Sequence, residues 1–353
     1  MKNKKQKIIF FSSLGACILY VVIAARPLSR EIQFEPVWTI DSSRAAKVEN
    51  PSFENVIPFK LGQNMGYFNE DGQVLTYVSF PYKAVLTPEF YTVFGTSSPT
   101  MPVYSPDGNL VFSINKYGFP FFEENRKYLL LPGGSSFSQL NDDGTVRWTF
   151  EYYSPITAFS SSEAGVVAGF ADGNIIAFDE KGKITQRFTP GGSNYPVIYG
   201  AGISDSGKFV AAVSGQERQR FVLSKKTGDN TAIISHKFFD TEMNHQVLVK
   251  FRNDEKAVYY NYNGGIGIVN TKTLKYTQIP LHGLVISIKE SENGIVFVLS
   301  RDGRKYTVSV IEPVDVFAGS FSFDADDAFI EVKNNSLYVG RDTKISKINI
   351  HHR

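Results

Sequence analysis

The stretch SSFSQLNDDGTVRWTFEYYSPITAFSSSEAGVVAGFADGNIIAFDEKGKITQRF, residues 135–188, decides the fold. One phrase occurs in it twice. Ser138–Trp148 (SQLNDDGTVRW) returns as Ile176–Gln186 (IAFDEKGKITQ), with Gly144 and Gly182 in the same place 38 residues apart. Each copy reads as a strand, an Asp/Gly turn and a second strand, the order expected when small antiparallel sheets repeat around an axis.

Outward from this pair the turn signals continue: Asn69-Glu70-Asp71-Gly72, Ser105-Pro106-Asp107-Gly108, Ala171-Asp172-Gly173, Ser204-Asp205-Ser206-Gly207, Asn263-Gly264-Gly265, Glu292-Asn293-Gly294 and Arg301-Asp302-Gly303. Between them lie alternating or wholly apolar runs of strand length, such as Leu110–Ile114, Phe209–Val213 and Ile295–Leu299, rich in Val, Ile, Phe and Tyr. No stretch after residue 25 sustains a helical period. The chain is read as all-β. Aligning the turn before the last strand of each unit places Gly108, Gly144, Gly182, Gly228, Thr273 and about Val314 in register, at intervals of 36, 38, 46, 45 and about 41 residues. That is near the span of a four-stranded propeller blade. The blades fall at about 62–115, 118–152, 155–190, 198–236, 246–281 and 284–322, the first with an insertion at about 80–99.

The last segment, 326–350, supplies only three strands. Pro36-Val37-Trp38-Thr39-Ile40 is the candidate for the fourth, because Val37–Ile40 resembles Arg147-Trp148-Thr149-Phe150 and these are the two tryptophans of the chain. Pairing the first strand with the last blade removes the open edges a gap would leave. The expectation is a seven-bladed propeller over 36–353, with strand 36–41 completing the blade at 326–350; six or eight blades also fit. Trp38 and Trp148 are its structural-closure residues.

The pattern at Leu140–Trp148 comes close to A-x-D-x-x-G-x-x-x-W and resembles the repeat of quinoprotein-like (PQQ-type) propellers. Ser105-Pro106-Asp107-Gly108 resembles the turns of WD40-like propellers. With its amino-terminal segment, the chain is similar to envelope-tethered scaffolds of the BamB type, which serve outer-membrane protein assembly; the resemblance implies a non-enzymatic docking role.

That segment begins with Lys2, Lys4, Lys5 and Lys7, followed by eighteen uncharged residues, 8–25. As a helix the run spans about 27 Å, close to a hydrocarbon core of about 30 Å. The lysines put residues 1–7 in the cytoplasm, residues 8–25 across the inner membrane as a single pass, 26–35 as a tether and the propeller in the periplasm. A signal cleaved near Val22-Ile23-Ala24 and a lipobox at Leu14-Gly15-Ala16-Cys17 are the alternatives. Without residues 1–30, the chain carries 31 basic against 35 acidic residues, so a nucleic-acid surface is not expected.

Little in the sequence points to chemistry. The lone cysteine excludes an intramolecular disulfide and a Cys-based zinc site. The vicinal cysteines and tryptophan floor of quinoprotein dehydrogenases are missing, so no cofactor is expected. Asn141–Trp148 departs from the sialidase Asp-box, and Asp324, Asp326 and Asp327 lack the EF-hand spacing. The histidines show no ligand spacing. No catalytic or metal residues are assigned.

The informative residues are in loops. In a propeller the connections between blades and those between the second and third strands emerge on one face. Tyr195, Tyr199, Arg218, Arg220, Tyr262, Arg301, Arg304 and Arg341 map there and form the expected partner-binding face, since Tyr and Arg are enriched at interface hot spots. The expected function is a scaffold docking an envelope protein complex; the alternative is an extracytoplasmic binder of a small ligand or glycan.

Overall fold

The computed structural model describes residues 13–15, 20, 32–44, 51–95, 98–313 and 315–352. Among these residues thirty-one strands form eight sheets, each strand antiparallel to its neighbours. The result is an eight-bladed β-propeller. Blade 1 holds Ile57–Leu61, Asn64–Phe68 and Val74–Ser79; blade 2 runs from Lys83–Leu86 to Leu110–Ile114; blade 3 from Phe119–Glu123 to Val146–Glu151. Blade 4 runs from Ile156–Ser162 to Ile184–Phe188, blade 5 from Tyr195–Ile203 to Asn230–Phe238, and blade 6 from Val249–Phe251 to Tyr276–Pro280. Blade 7 runs from Leu284–Glu290 to Val316–Asp324, and blade 8 contains Ala328–Lys333, Ser336–Arg341 and Lys344–His352.

The fourth strand of blade 8 is Ile32–Asp41, paired antiparallel with Lys344–His352 from Ile32↔His352 to Asp41↔Lys344. The ring is therefore fastened by the two ends of the propeller segment. The expected anchor at residues 8–25 lies almost wholly outside the described residues, and among those described no helix is long and apolar enough to cross a membrane.

The count of seven blades is corrected to eight. The span 62–115 holds most of blade 1 and all of blade 2, and the supposed insertion at 80–99 contains Lys83–Leu86 and Tyr91–Phe94, the first two strands of blade 2. Those strands are four residues each, and Phe80-Pro81-Tyr82 between the blades carries no Asp/Gly turn signal, so the boundary left little trace.

Burial follows position in the blade. Middle strands such as Gly165–Phe170 and Ile175–Phe178 are buried throughout, because each is covered on both faces by neighbouring blades. Outer strands such as Val146–Glu151 are only half covered. Inner strands begin at one end of the ring, here the loop face, and finish at the other, the turn face.

Blade 1 departs from this direction. The Lys333 ammonium, at the turn-face finish of blade 8's inner strand, is 3.5 Å from the Val56 carbonyl, just before Ile57. The Gly62 N–H donates to Asp327 Oδ2 (2.6 Å), at the loop-face start of the same inner strand. Ile57–Leu61 thus climbs where inner strands descend, and it occupies the place of a second strand. Residues 45–50 lie outside the described residues, and 51–56, which lead into this strand, are not themselves strand.

The tryptophans support this alignment. Trp38 donates its indole N–H to the Glu70 carbonyl at 3.2 Å and Trp148 donates to the Glu180 carbonyl at 3.2 Å, each 32 residues ahead. Gly182, at φ 78°, lies under the Trp148 ring, where a Cβ would meet the indole at 2.7 Å; Gly72, at φ 83°, lies under Trp38. Each ring joins an outer strand to the turn before the next blade's outer strand. Trp38 also packs edge-on to Phe68 and tilted against Tyr338, tying blades 8 and 1 together.

Trp38→Ala is expected to lower stability by about 2–4 kcal/mol, as for truncating a largely covered aromatic. Trp38→Phe, which keeps a ring and loses the hydrogen bond, is expected to cost about 1 kcal/mol. Chemical denaturation of the two variants checks both values; equal losses would show that the bond, not the packing, carries the contact.

Candidate functional site

Inner strands from blades 3 to 7 wall a cavity of about 930 Å³ along the axis, lined by Phe121, Phe159, Tyr199, Gln246, Lys250 and Lys289 among others. Its two ends differ because strand direction sorts the residues. Charged groups collect toward the turn face. Arg126 bonds Glu124 (2.8 Å), Glu163 (2.7 Å) and the Ser161 hydroxyl (3.1 Å), and Glu123 accepts the Ser161 N–H (3.1 Å) and hydroxyl (2.8 Å), joining blades 3 and 4. Lys289 pairs with Glu331 at 2.7 Å, joining blades 7 and 8. Lys250 stands on blade 6 with its side chain exposed to the channel that it lines. Desolvation by the surrounding channel wall first, and then the like charge of Lys289, press its pKa below the ordinary lysine value.

The loop face is aromatic. Tyr82 (70% exposed), Tyr117 (52%), Phe119 (38%), Tyr153 (78%) and Tyr195 (53%) lie in or beside four successive connections between blades 1 and 5. The remaining exposed aromatic among the described residues of the ring, Phe317, begins an outer strand at the turn face. Exposed Leu248 and Leu284 continue the apolar rim on blades 6 and 7.

Tyr153 shows how the rim is held. Its ring packs on Tyr152 at 4.3 Å between centroids, and Tyr152 packs on buried Phe170 at 4.4 Å. Both hydroxyls donate to Asp172 Oδ2, at 3.1 and 2.8 Å. Arg187 lies over the Tyr152 ring. The exposed ring is thus fixed before any partner arrives, which lowers the ordering cost of contact.

Seven of the eight residues expected on the partner face lie on connections or near strand ends at the loop end, Tyr199 lies mid-strand in Tyr195–Ile203, and the eight do not form one patch. Arg218 and Arg220 come together, both over the Phe238 ring at 5.0 and 5.3 Å. Arg220 is structural as well: it bonds the Pro190 carbonyl and packs on Gly192, and burial followed by the nearby Arg218 charge lowers its pKa. Tyr195 is exposed on the rim; Tyr199 faces the cavity while packing on the blade 5–6 core, and Tyr262 packs into that same core. Arg304 pairs with Asp326 at 2.7 Å, Arg301 lies over Tyr306, and Arg341 is exposed on blade 8. Tyr82, Tyr117, Phe119 and Tyr153 were missed. Their signal was available, since each sits in or beside an interblade connection.

The described residues hold no group of three or more His, Cys, Asp or Glu side chains arranged for a metal. A family model described as beta-propeller protein matches residues 1–353. The chain belongs to that family. A protein of Treponema pallidum (strain Nichols), described as uncharacterized, is 30% identical over 360 residues, covering 99% of this chain and 95% of the relative. Among solved structures this propeller is similar to BamB from Moraxella catarrhalis, with a TM-score of 0.60 and 12% identity over 90% of this chain and 100% of that one. It is also similar to the Dos1 propeller, with a TM-score of 0.58 and 10% identity over 90% and 95% of the two chains. Family and fold agree on the β-propeller.

Near the turn face of this propeller, blades 6 and 7 enclose an acid. The Glu290 carboxylate accepts the Asn253 N–H at 2.8 Å and lies 3.7 Å from Arg252. Burial raises its pKa despite both partners. The folded state therefore holds the proton to higher pH than the unfolded chain does. Glu290's contribution is fully present below the ordinary value of 4.5 and is lost as pH rises through the folded pKa. Glu290→Gln, uncharged at every pH, is expected to gain on wild type as pH rises above 4.5. Denaturation midpoints measured across pH check this, and a constant difference between the two proteins would contradict it.

Proposed function

We propose that this propeller is a non-enzymatic scaffold that docks a protein partner through its loop face. The observation that carries the reading is the gathering of five exposed aromatics at one end, on four successive connections. Tyrosine combines a large apolar area with hydrogen-bonding capacity, the character of interface hot spots. Arg187, Arg218 and Asp172 supply polar groups around the rings.

The sequence supports an address for this activity. Residues 8–25 anchor the chain in the inner membrane, and the resemblance to BamB-type propellers favours a partner within an envelope assembly. Ile32 starts an outer strand at the turn face, so a chain anchored through residues 8–25 joins the ring at that end. The loop face is then directed away from the membrane.

The test is crosslinking in cells followed by purification of the full chain. Replacing Tyr117, Tyr153 and Tyr195 together by Ser is expected to reduce the captured partner at least about tenfold, the equivalent of ~1.4 kcal/mol, with an unchanged melting temperature. Arg218→Glu is expected to act in the same direction. Undiminished capture by the triple variant would sink the assignment of this face.

A further inference from the structure

Resting on the loop-face docking proposed above, we infer that the partner presents an acidic segment to blade 5, a carboxylate beside an apolar side chain, and that Arg218 and Arg220 receive the carboxylate. Arg218 lies in the connection between Phe209–Gln216 and Arg220–Thr227, the second and third strands of that blade, and Arg220 opens the third. Their guanidinium carbons lie 5.0 and 5.3 Å from the centroid of the Phe238 ring. Two like charges therefore share one aromatic platform.

Neither charge has a counterion. Among the described residues no carboxylate lies within 4 Å of either guanidinium, whereas Arg126, Arg252 and Arg304 each have one. The nearby acids are placed otherwise. Glu242 accepts the Arg218 main-chain N–H at 2.7 Å, and Glu217 and Asp240 are exposed to solvent.

Arg220 is also fixed. It donates to the Pro190 carbonyl and lies so close to Gly192 that a Cβ there would come within 2.9 Å of its guanidinium carbon. Its Nε–H is buried with no acceptor among the described residues. A partly desolvated cation beside a like charge gains more from an anion than a freely hydrated arginine does. Held in one orientation, it also loses little freedom on binding.

The apolar half of the motif follows from strand register. Exposed Tyr195 pairs across the sheet with Gln216, two residues before Arg218. The rim ring and the arginines thus stand side by side on one blade. A protein segment meets both by carrying Asp or Glu next to an apolar residue.

Titration calorimetry of the full chain tests this with an end-blocked pentapeptide carrying an aspartate on each side of a tyrosine, its asparagine counterpart, and inorganic phosphate. The acidic peptide is expected to bind with Kd below about 1 mM, and the asparagine peptide at least about tenfold more weakly. Added salt is expected to weaken the acidic peptide alone. Arg218→Gln is expected to abolish the preference and Arg218→Lys to retain part of it, while Tyr195→Ser weakens both peptides and leaves the preference. The proposal fails if the two peptides bind alike, if neither binds, if phosphate saturates the site and the acidic peptide does not, or if Arg218→Gln, folded by its melting curve, binds as wild type does. A peptide preference together with undiminished capture by the triple tyrosine variant would overturn the docking face and leave the arginine site standing. Lost capture without a peptide preference would overturn the arginine site alone.

Discussion

The pairing of Ile32–Asp41 with Lys344–His352 is the constraint on which the architecture rests. A ring of sheets differs from a stack because every blade must be covered on both faces, and it achieves this only when the last blade meets the first. Here the contact closes across more than 300 residues of chain. The closing strand also carries Trp38, whose indole crosses to Glu70 on blade 1. One strand therefore completes a sheet through its backbone and joins two sheets through a side chain. So non-local a contact forms only after most of the chain is in place, which sets a topological cost on folding.

The Trp38 and Trp148 contacts show how a repeat can be visible in sequence at one level and hidden at another. The two Trp-Thr pairs suggested a shared outer-strand position, and the glycine turns 34 residues ahead of each tryptophan share one conformation. The sequence alignment began at Gly108, one turn too late. Gly72 belongs to the same series, 36 residues earlier. It was masked because blade 1 starts with a climbing strand and its junction with blade 2 contains Pro81 in place of a glycine turn. Alternating strands and tight turns are local signals, and they were legible. The number of sheets that close a circle is a global property, and the spacing bounded it without fixing it.

The site was legible in part for the same reason. Chain direction assigned the expected Tyr and Arg residues to the loop end, but it could not distinguish exposed Tyr195 from Tyr262, which packs into the blade 5–6 core. Composition also favoured arginine over the Tyr152-Tyr153 pair, although the pair presents the more exposed ring. The charged end of the cavity left still less trace. Lys250, Lys289 and Glu331 follow one another at intervals of 39 and 42 residues, roughly one blade apart, and they meet only because inner strands run parallel around an axis. In each strand taken alone, such a residue reads as an ordinary solvated position.

Parallel inner strands also make the two ends of the molecule chemically unlike. In blades 2 to 8 the inner strand begins at the loop face, so the residues that enter these strands build one mouth and the residues that leave them build the other. Aromatic and aliphatic side chains at the starts, with acids and lysines near the finishes, turn that shared direction into a gradient along the axis. The closing strand starts at the turn face as well, so Ile32 lies at the charged end. The aromatic rim thus lies at the opposite end of the ring from the start of the strand that closes it.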